Sequence, residues 1–213
     1  MKKQIFLMMS LIAILAVNSF AADKVIKLPA PNRKGGKPLM AALDERQSKR
    51  NISAAPLNRQ ELSDLFFAAT GVTRKNGKLT IPTARDARSM ILFAAMPDGL
   101  YRYNPEAHQL ELEQPRDFRE FTGTQKKMHT TAPVVLIYVS DNERMKRVNI
   151  PESGFTKYGA FHAGSMSQNV YLYAASANLS TVVCGLVEID KLAIEMKLPE
   201  SHRIQFTQPI GRK

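Results

Sequence analysis

The chain has 213 residues, a formal net charge of +11 and a single cysteine, Cys184. One cysteine excludes an internal disulfide, and the length suits one domain with a real core rather than several. The basic balance favours anionic ligands or anionic lipid surfaces, with excess surface lysine as the plainer explanation. No motif points to nucleic acid.

Residues 1–21, MKKQIFLMMSLIAILAVNSFA, carry Lys2 and Lys3, an apolar run and a close in Ser19-Phe20-Ala21. This is the pattern of a secretory signal peptide cleaved after Ala21. The run is short for a membrane span, so an uncleaved anchor is the lesser alternative. The expectation is an exported, periplasmic protein. Residues 22–38 hold three prolines and two glycines without helical or strand period, and read as an extended basic arm. An anionic membrane surface is one candidate partner for that arm.

A helix is expected from Leu39 to about Lys49, with Leu39, Ala42 and Leu43 at helical spacing. Its end is the stretch Glu45-Arg46-Gln47-Ser48-Lys49-Arg50. Cations at a helix C-terminus suit the helix dipole. The same cluster also offers a phosphate seat. The next helix starts at a capping box, Asn58 with Glu61, and sets Leu62, Leu65, Phe66 and Ala69 on one face before Gly71 ends it. Strands follow in SMILFAAM, GLYRYN and QLELEQ, joined by short turns. Residues 115–128 look helical and highly charged. APVVLIYVS reads as a central strand. Residues 163–177 read as a buried helix, because they are apolar on more than one face. TVVCGLV reads as a buried strand, EIDKLAIEMKL as a surface helix and HRIQFTQP as the last strand. Helices and strands mix without regular βαβ alternation, which predicts one α+β domain over residues 39–213.

The chain lacks a dinucleotide-binding glycine fingerprint, a phosphate-binding P-loop and a nucleophile elbow. The four histidines show no metal-ligand spacing. His162 reads as a satisfied polar group of the core helix. The residues alone therefore offer one candidate anion site and no standard catalytic set.

Several segments, in order, resemble the FMN-dependent nitroreductase family. ERQSKR is similar to its Arg-x-Ser-x-Arg/Lys signature, and LSDLFFAATGVTR to the helix and turn that follow. IPTARDAR is similar to its Pro-Ser-Ala-x-Asn-x-Gln loop. DGLYRYNPEAHQL resembles the strand pair of the branch with azoline-forming dehydrogenases. AGSMSQNVYLYAASANLSTVVCG resembles the long core helix and flavin-facing strand, and LPESHRIQFTQPIGRK the closing strand. The resemblance implies a mostly antiparallel sheet flanked by helices, in a homodimer with FMN at the interface. It implies ping-pong electron transfer through the flavin, with no side chain required as nucleophile.

Carried over residue by residue, the resemblance places Arg46 and Ser48 on the FMN phosphate, Gln47 on the ribityl chain and Arg50 at the N1/O2 edge. A guanidinium fork with a hydroxyl satisfies several phosphate oxygens. Arg212 or Lys213 is a candidate second phosphate cation. Cys184 and Gly185 fall where a backbone amide faces N5. Gln168 and Asn169 fall at the dimer interface. Thr83, Asp86 and Arg88 replace the loop's serine, asparagine and glutamine. A carboxylate at Asp86 only accepts hydrogen bonds and sets negative charge beside the ring, unless an arginine pairs with it. The expected acceptor is a small aromatic, nitro or quinone-like molecule. The expected donor is a quinone or redox protein rather than NAD(P)H, which is scarce outside the cytoplasm. The alternative is a non-catalytic protein of the same fold that binds another small ligand in the envelope.

Overall fold

The computed structural model describes residues 22–213; residues 1–21, on which the expected signal peptide falls, lie outside them. Strand β1, Val25–Lys27, belongs to the segment expected as an arm. It pairs antiparallel with residues 109–111, so the arm is an edge of the sheet. Its tail is also pinned: Ser63 Oγ donates to Pro29 O at 2.6 Å, and Asn32 N–H to Asp64 at 2.7 Å. The prolines stop a helix there without stopping edge pairing. The domain therefore includes residues 22–38.

Helix α1 is Leu39–Glu45, four residues shorter than expected. Arg46 turns extended, and Lys49 N–H donates to Thr181 O, which pulls the cation cluster out of the helix. Helix α2, Arg59–Thr70, has the expected capping box in both directions and buries Leu62, Leu65, Phe66 and Ala69. Strands β2 (Met90–Met96), β3 (Gly99–Asn104) and β4 (Gln109–Gln114) form a meander. Residues 115–128 give one short turn of helix and the start of α3, Lys126–Thr131. Their charges pair locally instead, as in Arg119 with Asp117 at 2.7 Å.

Strand β5, Val134–Asp141, is buried along its whole length. Helix α4 is Asn142–Arg147, capped by Asp141. Helix α5, Phe155–Ser176, begins eight residues before the expected start. Strand β6 is only Ser180–Thr181, so TVVCGLV is mostly irregular chain. Helix α6 is Ile189–Glu195, and β7 is His202–Gly211. The sheet runs β1-β4-β3-β2-β5-β7-β6, with every pairing antiparallel.

Both faces of this sheet are covered, which is why β5 reads as an unbroken apolar run. Leu92, Ala94, Leu136 and Tyr138 pack toward α2 and α5, with Phe66, Met166 and Val170. Phe93, Val135, Ile137 and Val139 pack on the other side with Phe118 and Leu192. Helix α5 lies along the first face and reaches both ends of the candidate site.

Candidate flavin site

At the C-terminal end of α5, Tyr171 gathers the cation loop. Its hydroxyl is 2.9 Å from Ser48 Oγ and accepts the Val183 N–H at 2.8 Å. The Arg46 guanidinium lies over its ring, 5.3 Å from the centroid. One phenol thus ties the Arg46–Arg50 segment to the Val182–Gly185 segment. The sequence reading missed Tyr171; an aromatic with a polar tip on a core helix was the available signal. Among the described residues, no carboxylate lies within ion-pairing distance of Arg46, Lys49 or Arg50. Gln47, Ser48 and Arg50 are exposed, and Arg46 is half-buried. A helix-end reading of the cluster fails, because α1 has no basic residue in its last turn.

Cys184 is half-buried rather than buried, since the strand expected around it is reduced to a single bridge to Thr207. Its N–H donates to Thr207 O at 2.8 Å, so this amide is already used. Beside it the Gly185 N–H has no hydrogen-bond partner among the described residues, and an added Cβ there would meet open space. Burial pushes the Cys184 thiol up, and Arg50 offsets this only in part, so the thiol stays protonated. Arg50, Cys184, Gly185 and His129 line one cavity of about 160 Å³. A more open depression of about 530 Å³ shares Arg50 and adds Lys126 and Lys127.

Thr83, Asp86 and Arg88 sit at the other end of α5. His162, fully buried, accepts the Ala84 N–H at its Nε2 at 2.8 Å, with its Nδ1 3.2 Å from Ser89 Oγ. Burial pushes its pKa down, so the ring is neutral and holds the loop as an acceptor. Thr83 Oγ1 accepts the Arg88 N–H. Arg85, Asp86 and Arg88 have φ of 52°, 57° and 45°, a left-handed conformation that side chains rarely adopt. Asp86 is not the bare charge expected. It pairs with Lys78 at 2.9 Å and Arg88 at 3.2 Å, which lower its pKa. Lys78 comes from the turn after α2, a contact that local sequence could not reveal. Arg85 takes no part and donates to Val148 and Asn149 carbonyls.

Arg212 lies near the cation loop through Ser53, whose N–H donates to Arg212 O, but its guanidinium pairs with Glu61 at 2.8 Å. Asn169 donates to Ala68 O at 3.0 Å, a contact within the chain that fixes α2 to α5. Gln168 is exposed. The structure therefore brings Arg46, Gln47, Ser48, Arg50, Cys184 and Gly185 together. Thr83, Asp86 and Arg88 stand apart from them. His162 and Tyr171 are nine residues apart on α5, roughly 14 Å at about 1.5 Å per residue.

The sequence matches the model of the Nitroreductase family over residues 43–212. It is 33% identical over 180 residues to a Methanocaldococcus jannaschii protein named as a nitroreductase, covering 80% of this chain and 89% of that protein. A crystal structure from Ralstonia eutropha, also titled as a nitroreductase, superposes with a TM-score of 0.83 at 38% identity, over 89% of this chain and 90% of that one. A Desulfovibrio desulfuricans structure, titled as a nitroreductase in complex with FMN, has a TM-score of 0.59 at 14% identity, over 84% of this chain and 87% of that one; this shows a shared fold. On the family match and the two closer likenesses, the chain belongs to the nitroreductase family.

Proposed function

We propose that the protein is an exported, homodimeric FMN-dependent oxidoreductase that passes electrons to a small aromatic, nitro or quinone-like acceptor. The observation that carries this reading is the pair of cations Arg46 and Arg50, without carboxylate partners among the described residues and held with Ser48 against the Val182–Gly185 segment by Tyr171. Of these, Arg46 with the Ser48 hydroxyl calls for an anion with several acceptor oxygens, and the FMN phosphate fits that donor set. Bound there, FMN supplies two-electron transfer between a donor and an acceptor. Arg50 sets fixed positive charge in the cavity next to Gly185, where negative charge on the ring is stabilised as it is reduced. Lys126 and Lys127 border the open depression through which an anionic or polar acceptor approaches.

The dimer reading rests on uncovered apolar surface. Leu39, Met40 and Leu43 of α1 and Phe161 of α5 are exposed, with Met40 at 73%. Added bulk at Gly164 on the same helix would meet open space. A two-fold pairing through α5 would set one chain's Thr83–Arg88 loop against its partner's cation loop, completing each site from both chains. The basic residues of the 22–38 segment would face anionic lipid.

The first test is the visible absorption spectrum of purified mature protein, with light scattering on the same sample. A flavin band and a dimer are expected. A folded, colourless protein that takes up no added FMN would leave the non-catalytic ligand-binding reading in its place.

A further inference from the structure

His129, on α3, is 1% exposed, yet it lines the cavity that holds Arg50 and Gly185. Its tautomer follows from its neighbour. The Thr122 hydroxyl donates its one proton to Arg119 O at 2.7 Å. The same oxygen, 2.7 Å from His129 Nδ1, must therefore accept from that nitrogen. Nδ1 carries the proton and Nε2 keeps a bare lone pair. Among the described residues Nε2 has no hydrogen-bond partner. Gly123 leaves it uncovered: a Cβ there would lie 2.4 Å from Nε2. The ring is also fixed relative to the Cys184 segment. Thr207 Oγ1 donates to Thr122 O at 2.6 Å, and the Thr207 backbone pairs with Cys184. Burial, with Lys126 nearby, holds the imidazole pKa down to about 4, so the lone pair persists at neutral pH.

Nε2 is not sealed from solvent, so a donor entering the cavity can reach it. The same cavity is lined by donors: the Arg50 guanidinium, and the Gly185 N–H, since the Cys184 N–H is spent on Thr207. We propose that His129 is a cofactor-binding residue that accepts the ring N–H of an imide edge, an N–H between two carbonyl oxygens, while Arg50 and Gly185 donate to the flanking oxygens. The pyrimidine end of flavin carries this edge, so the assignment rests on FMN being the ligand. It moves recognition of that edge from Asp86, whose carboxylate is occupied by Lys78 and Arg88, to a residue of another element.

The test is a pair of binding titrations on the full mature apoprotein, followed by flavin fluorescence, with FMN and with FMN methylated at N3. Wild type should bind the methylated analogue at least about tenfold more weakly, the value of one lost buried hydrogen bond. His129→Ala should weaken FMN and bind both ligands alike, and His129→Gln, which restores an acceptor oxygen, should recover part of the preference. Equal affinity of wild type for the two flavins overturns the assignment and leaves the FMN reading standing. This arm needs no variant to fold. Wild type that binds neither flavin overturns both.

Discussion

The two ends of α5 hold charge in opposite ways. At the Tyr171 end, Arg46, Lys49 and Arg50 sit on ordinary extended chain without carboxylate partners. At the His162 end, Asp86 is matched by Lys78 and Arg88 within a loop that holds three left-handed side-chain residues. The first end is relaxed in backbone and its cations lack carboxylates among the described residues; the second pairs its one carboxylate with two cations and is strained in backbone. Charge left unbalanced is binding capacity for an outside anion. A carboxylate already paired with two cations offers no such capacity, and the strained loop is anchored by the hydrogen bonds of His162 and Thr83.

Four measurements break or sharpen that contrast. Arg46→Ala should raise the FMN dissociation constant at least tenfold, since a charged hydrogen bond is worth about 1.5–3 kcal/mol, and should leave the unfolding temperature unchanged. An unchanged binding isotherm would make the cation loop a solvated surface. Acidification should soften both ends. His129 and His162 are held neutral, with folded pKa values below the usual 6.5, so the unfolded chain takes up more protons below that pH. Their stabilisation is complete above about pH 6.5 and is lost as pH falls toward the folded values. For His129, with its pKa near 4, the loss between pH 7 and pH 5 is about 2 kcal/mol, read from urea midpoints at the two values. Tyr171→Phe strips the bridge from Ser48 and the Val183 N–H; it should cost about 1 kcal/mol in denaturant unfolding and weaken FMN. A variant as stable as wild type would free Tyr171 of the role given to it. Asp86→Asn should shift stability by less than about 0.5 kcal/mol, because the lost pairs are exposed and asparagine tolerates left-handed φ. A large thermal destabilisation would show that the ion pairs clamp the strained loop.

Elements with a strong period or a local cap were legible: the Asn58–Glu61 box, the apolar face of α2, and β5. What failed depended on distant partners. Nothing near Arg46 announces that Thr181 will pull Lys49 out of a helix, nor that Val25–Lys27 will join a sheet and Pro29 be pinned by Ser63. Site residues were legible where a resemblance supplied them and illegible where the fold did. Tyr171, His129 and Lys78 enter through contacts 7 to 123 residues away in sequence, or through one short loop whose period is too brief to read. The charge on Asp86 was visible, but its neutralisation by Lys78 was not.

Strand β7 is the last strand among the described residues, yet it sits inside the sheet, between β5 and β6. Val134 pairs with Ile210, and Asp141 with His202. The centre of the sheet therefore cannot close until residues near 210 are available, however early the β2–β4 meander forms. Such non-local pairing raises contact order and slows folding. The order of strands in the sheet thus ties completion of the core to the arrival of its last strand.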